Sequence, residues 1–181
     1  MILSKEGREL LQKATKDSVP EFSLEGQKLL AKVVGVYDAD TCRVVFFLHD
    51  RPVRFSVRLT GIDTPEMRPS RNKPNRDLEK KLAVRARNRL IQLVTSVEIN
   101  LDDNWRRNRV QGLIDRDNDK LVVLECGEFD KYGRLLGRLF QEPVGGSSSK
   151  NSDNNSVNDT LIKEGVARVY HGGTKSRQPW S

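Results

Sequence analysis

Apolar positions recur along the chain with two different periods. From Lys28 to Leu48 the residues Leu30, Val33, Val34, Val36, Val44, Val45, Phe46 and Phe47 are interrupted by Asp38–Thr41, a pattern that predicts two strands around a turn. Val53, Phe55, Val57 and Leu59 alternate with Arg54, Ser56 and Arg58, the period of two expected of a half-buried strand. Val97 to Leu101 alternates in the same way, and Leu121–Leu124 and Leu135–Phe140 flank a turn at Asp130–Arg134. Leu78, Leu82, Ala86, Leu90, Leu93 and Val94 instead step by three and four, which predicts an amphipathic helix. A second helix is expected from Ser156, with Asp159 three residues on, through Val157, Leu161, Ile162 and Val166, and Gly165 is placed to end it. Residues 4–17 fit a short helix stopped by Pro20. Five or six strands with antiparallel connections and two helices fit an α+β, mainly β protein built on a small closed barrel.

The connecting stretches divide the chain. Residues 1–27 read as an N-terminal arm, 28–173 as one domain and 174–181 as a tail. Residues 67–77 hold two prolines and no periodicity, so they form a loop. Residues 102–120 carry five basic and five acidic side chains around Trp105 and read as a hairpin-like insertion, with a strand at Val110–Ile114. Either Val97–Leu101 or Leu121–Leu124 can supply the fourth barrel strand. Pro143–Asn155, rich in Gly, Ser and Asn, is expected to be a mobile loop.

Composition narrows the class. No apolar run approaches the roughly 20 residues of a membrane span, and the charged start lacks the apolar centre of a secretory signal. The expectation is an intracellular protein, monomeric, without a membrane partner or an organic cofactor, and with Cys42 and Cys126 reduced. The net charge of +7 is concentrated in one place. Between Arg68 and Arg89 nine basic side chains face only Asp77 and Glu79, so the rest of the chain sums to zero. Such a run is either a solvated surface or an electrostatic guide for a polyanion. Because it starts two residues after Glu66, the guide is the favoured reading, with Arg71, Lys73, Arg76 and Lys80 as substrate-binding candidates.

The candidate chemistry lies in three short strings: Asp38-Ala39-Asp40-Thr41, Arg58-Leu59-Thr60-Gly61-Ile62-Asp63-Thr64-Pro65-Glu66, and Asp130-Lys131-Tyr132-Gly133-Arg134. Clustered carboxylates repel unless protons or a metal hold them, and oxygen-only ligands select a hard cation such as Ca2+ or Mg2+. Arginines beside that cluster suit a phosphate. The combination points to metal-assisted attack on a phosphodiester.

These strings, followed by Val157-Asn158-Asp159-Thr160-Leu161-Ile162-Lys163-Glu164-Gly165-Val166-Ala167, resemble the staphylococcal nuclease (thermonuclease-like) family in content and order. Ala39 stands where that family usually has glycine. The resemblance implies a five-stranded Greek-key OB-fold barrel with two or three packed helices. It also implies a Ca2+-dependent nuclease of low sequence specificity on DNA, RNA or both, leaving 3′-phosphate ends. Asp40 and Asp63 would be metal ligands together with the Thr64 carbonyl, while Asp38 shapes the turn. Glu66 would be the general base, and Arg58 and Arg134 would grip the scissile phosphate. Lys131 and Tyr132 would touch a terminal phosphate. The alternative is a nucleic-acid-binding or scaffold module of the same fold that does not cleave.

Overall fold

A computed structural model describes residues 4–142, 155–173 and 178–180. Strands β1 (Lys28–Asp38), β2 (Thr41–Leu48) and β3 (Arg51–Leu59) form an antiparallel meander, continued by the short β4 (Ile62–Asp63). Helix α2 (Arg76–Val94) follows, then α3 (Arg107–Asp117), β5 (Leu121–Phe129), β6 (Leu135–Gln141), α4 (Val157–Lys163) and β7 (Arg168–Val169). The five long strands close in the order β1-β2-β3-β6-β5, with β3 and β6 parallel and every other pairing antiparallel. This is the OB-like barrel expected from the sequence.

Strand alternation builds the barrel interior. Ala31, Val33, Cys42, Val44, Phe46, Val57, Leu59, Val122, Leu124, Leu135 and Leu139 all point inward and are buried. Fully burying one side chain of this kind stabilises the fold by roughly 1.5–3 kcal/mol. Leu90, Ile91 and Val94 from the last turns of α2 belong to the same core, so the helix closes off the barrel. Thr95 ends α2 by donating its hydroxyl to the Ile91 carbonyl (2.7 Å). At the other side of the barrel, Asn158 at the start of α4 is fully buried. It donates to the Thr60 carbonyl (2.8 Å) and accepts from the Leu139 amide (3.2 Å), which pins α4 to the β3–β4 link and to β6. Ser156 and Asp159 form the reciprocal capping box expected of that helix start.

Two expectations are overturned. β5 alone takes the fourth position, because among the described residues Val97–Leu101 pairs with no strand. The backbone of that segment is claimed by side chains instead: Asn88 donates to the carbonyls of Asn100, Leu101 and Asp103 (2.9, 3.0 and 2.9 Å), and Gln92 donates to that of Ile99 (2.7 Å). A carbonyl satisfied in this way has no need of a ladder partner. The second correction concerns Val110–Ile114, which lies inside helix α3 rather than in a strand, so the 102–120 segment is no hairpin. Val110, Leu113 and Ile114 have the i, i+3, i+4 spacing of a helical stripe, and Val110 and Ile114 are buried.

Helix α3 lies against β1. Gln111 donates to the Val34 carbonyl (2.8 Å) and Asn118 to the Val33 carbonyl (2.7 Å), at the bulge between Val33 and Gly35. A β-carbon at Gly35 would come within 3.0 Å of the Gln111 amide oxygen. The N-terminal helix α1 (Lys5–Lys13) buries none of its residues, whereas Leu24 just after it joins the core. Cys42 and Cys126 are both buried and free, and burial pushes the Cys42 thiol up to about 12. The predicted loop at 143–155 falls almost wholly outside the described residues.

Candidate functional site

The barrel topology brings distant strings to one cleft. Asp40 sits in the β1–β2 turn, Arg58 at the end of β3, Thr64 and Glu66 just after β4, and Arg134 just before β6. Together with Tyr37, Asp38, Thr41, Pro65, Met67 and Arg68 they line one cavity of about 300 Å³. Arg58 reaches this end of the barrel because Thr41 and Arg58 are direct cross-strand partners. Arg134 reaches it through the parallel β3–β6 pairing, in which Val57 lies opposite Leu135 and Arg58 opposite Leu136.

The β1–β2 turn is held by its own aspartates. The Asp40 amide donates to Asp38 Oδ1 (3.3 Å), the local turn chemistry expected of Asp38. Ala39 is buried and its φ lies outside the left-handed region, so a β-carbon is accepted there without strain. Asp38 itself is pushed up to about 7, first by burial and then by the neighbouring Asp40 carboxylate.

Arg58 is fixed from three sides. Its guanidinium forms an ion pair with Asp40 Oδ2 and donates to the carbonyls of Asp40 (3.4 Å) and Ile62 (3.2 Å). The Thr41 hydroxyl donates to the other Asp40 oxygen (2.8 Å). Both side chains of this ion pair are largely buried. Asp63, one residue before Thr64, is buried at the end of β4 and does not line the cavity. β4 itself went unforeseen, because a two-residue strand has no period to read. It is held by pairing with β7, Asp63 lying opposite Arg168.

The Asp130–Arg134 turn explains its own composition. Asp130 Oδ1 accepts from the amides of Tyr132 and Arg134 (2.9 Å each), and Oδ2 accepts from Arg134 Nε (2.7 Å). Gly133 takes the left-handed conformation (φ 76°) that this tight hairpin requires. Arg134 thereby holds the Asp130 carboxyl below its ordinary range even though burial acts in the opposite direction. Lys131 and Tyr132 project from the tip, Tyr132 being 72% exposed, and neither lines the cavity.

The basic run is less free than its charge implies. Lys73 is paired with the buried Glu79 (2.7 Å), Lys80 and Arg76 with Asp77 (3.2 and 3.7 Å), Arg85 with Asp102 (3.2 Å) and Arg89 with Glu164 (2.7 Å). Lys80 faces a neighbouring cavity of about 530 Å³ that shares Met67 with the cleft. Arg71 is exposed. Glu79 was legible only as one of two compensating charges. In the fold it also accepts from the Glu66 amide (3.2 Å) and so holds the loop that presents Glu66. Tyr37 and Arg68 are further cleft residues that the sequence did not single out.

Carboxylates and arginines are thus gathered at one end of a closed barrel. Residues 56–179 match the family described as Staphylococcal nuclease homologue; the chain belongs to that family, a nuclease-like or nucleic-acid-binding class. No curated protein matches the chain. Asp40 precedes the matched stretch and is brought to it by the β1–β2–β3 meander, where it pairs with Arg58. Among the described residues no helix is long and apolar enough to cross a membrane.

Proposed function

We propose that the protein is a metal-dependent endonuclease that hydrolyses phosphodiester bonds of DNA or RNA with little sequence preference and leaves 3′-phosphate ends. The observation that carries this reading is the gathering of Asp40, Arg58, Thr64, Glu66 and Arg134 around one cavity. Ca2+ is the proposed cation, with Mg2+ as the alternative. Asp40 and Thr64 line the cavity and would hold it, through the Asp40 carboxylate and the Thr64 carbonyl, with the adjacent buried Asp63 as the second carboxylate. Among the described residues no three His, Cys, Asp or Glu side chains form a closed metal cluster. Two carboxylates and a carbonyl suit an open site completed by water and substrate oxygens. When bound, the cation would supply fixed positive charge beside a phosphate oxygen.

The chain's own groups account for the rest. Glu66, exposed on the rim, is suited to accept a proton from the water whose oxygen bonds to phosphorus as the bond from phosphorus to the 5′ oxygen breaks; the 5′ oxygen then takes a proton from solvent. Arg58 and Arg134 are the donors for charge growing on the phosphoryl oxygens, and their planar forks match that geometry. Both guanidiniums are already engaged by carboxylates, Asp40 and Asp130. That engagement favours the second reading, a binding module without cleavage. Incubation of single- and double-stranded DNA and RNA with Ca2+, Mg2+ or chelator, followed by end-group analysis, separates the two. Cation-dependent cutting to 3′-phosphates supports the enzyme. Binding without cutting under every cation supports the module.

A further inference from the structure

The outer face of the barrel carries a second basic feature outside the cleft. Cross-strand register lines up Thr41 with Arg58, Arg43 with Ser56, and Val45 with Arg54. Residues two apart on a strand share a face, so Arg58, Ser56 and Arg54 all point outward on β3, with Arg43 beside them on β2. Arg54 lies about 13 Å along the strand from Arg58, at about 3.3 Å per residue. Helix α3 forms the opposing wall. Arg43, Arg54, Arg107 and Gln111 line a groove of about 440 Å³ between the two, with Asp115 as its one carboxylate. Asp115 accepts from Gln111 (2.8 Å). Tyr37 links groove and cleft: it lines the cleft, is 43% exposed, and its ring lies 5.1 Å beneath the Arg107 guanidinium. Among the described residues Arg43, Arg54 and Arg107 form no ion pair, in contrast to Arg76, Lys80, Arg85 and Arg89 on α2.

We infer that this groove is a phosphate-backbone track for a single-stranded polynucleotide whose scissile bond lies in the cleft, with Tyr37 as a stacking surface at the junction. The inference rests on the proposed nucleic-acid substrate and adds a location and a strand form to it. Unpaired arginines at strand intervals suit successive phosphates of an extended chain, and an exposed tyrosine suits an unpaired base. Helix α3, which the sequence presented as a mixed-charge insertion, gives the track its second wall.

The test replaces all three arginines, Arg43→Ala, Arg54→Ala and Arg107→Ala, in a Glu66→Gln background. Binding of a labelled single-stranded oligonucleotide is then measured across salt concentrations by fluorescence anisotropy with Ca2+ present. An equal charge change on the surface helix α1 (Lys5→Ala, Arg8→Ala and Lys13→Ala) is the control, and circular dichroism checks the fold. Each lost phosphate contact lowers the log-log salt slope by about 0.7, so the triple variant is expected to lose about two units, and at least about tenfold in affinity at low salt, while the α1 control loses neither. The same three replacements in the active protein should leave cleavage of a dinucleotide unchanged, and duplex binding should fall less than single-strand binding. Unchanged affinity and slope, in a protein that still cleaves, would overturn the track and leave the nuclease intact. An equal fall in duplex and single-strand binding would overturn the single-strand assignment. A chain that cuts nothing yet loses strand binding on triple replacement would uphold the track and remove the enzyme.

Discussion

Arg58 and Arg54 lie four residues apart on the same face of β3 and are held in opposite ways. Arg58 is 13% exposed, locked onto Asp40 and two carbonyls, whereas Arg54 stands in an open groove with no carboxylate partner among the described residues. Fixed geometry is what a group must have if it is to stabilise charge at one point in a transition state. Freedom suits a group that must follow a flexible polyanion, because such a contact is set by charge and distance. The cations of the Arg68–Arg89 run are a third case: Asp77, Glu79, Asp102 and Glu164 pair with five of the nine, so the run presents less open charge than its composition implies.

The sharpest way to break this comparison is to make the same change at both ends of β3. Arg58→Lys keeps the charge and loses the fork, so cleavage is expected to fall on the order of a hundred- to thousandfold, about 3–4 kcal/mol of barrier. Arg54→Lys should leave kcat within about twofold, since only bulk charge is asked of it. Steady-state kinetics on one oligonucleotide measures both, and similar losses would show that the two arginines do the same job. Chelation belongs with the large effects. It is expected to abolish cleavage, and Asp40→Ala should do the same while also costing stability, because it leaves the largely buried Arg58 guanidinium without its carboxylate; circular dichroism checks that the protein measured is folded. Full activity in excess chelator would refute the cation's role.

Smaller effects probe the support around the cleft. Glu79→Gln takes the charge from a buried acceptor shared by the Glu66 amide and Lys73, at an expected cost of about 1–3 kcal/mol in urea unfolding and with a matching fall in kcat. Stability lost with kcat unchanged would mean that the Glu66 loop needs no such anchor. Gly137→Ala would set a β-carbon 2.8 Å from Leu124 Cδ1 and 2.9 Å from the Glu125 carbonyl, so a loss of about 1–3 kcal/mol is expected, with kcat unaffected in the folded fraction. The smallest change is expected from neutralising Arg71, Lys73, Arg76 and Lys80 together. Three of these four are already paired, so the salt slope for strand binding should shift by less than about one unit. A larger shift than that of the barrel-face triple variant would return the guiding role to the α2 run.

Much of the barrel could be read from periodicity alone. The alternation at Val53–Leu59 and the interrupted run at Lys28–Leu48 became β3, β1 and β2 because each buries one face against a common core. The same alternation misled at Val97–Leu101. A period of two reports burial on one side, and it cannot say whether a neighbouring strand or the amides of Asn88 and Gln92 will claim the carbonyls. At Val110–Ile114 the helical spacing was present but short, inside a mixed-charge stretch that read as a hairpin-like insertion with a strand. Of the candidate site residues, Asp40, Arg58, Thr64, Glu66 and Arg134 share the cavity surface; Asp63 lies buried beside it, and Lys131 and Tyr132 stand outside it.

The sequence by itself determined the faces of β1, β2 and β3 through their period, and the turns at Asp38 and at Asp130–Arg134 and the start of α4 through interactions within a few residues. Only the tertiary structure decided which cations stay free. Pairings such as Arg89 with Glu164 and Arg58 with Asp40 join residues far apart in the chain, and the wall that α3 raises opposite Arg43 and Arg54 exists only once Gln111 and Asn118 meet β1. Charge is a property of composition, but the field a ligand meets is set by which opposite charges the fold has already brought within contact.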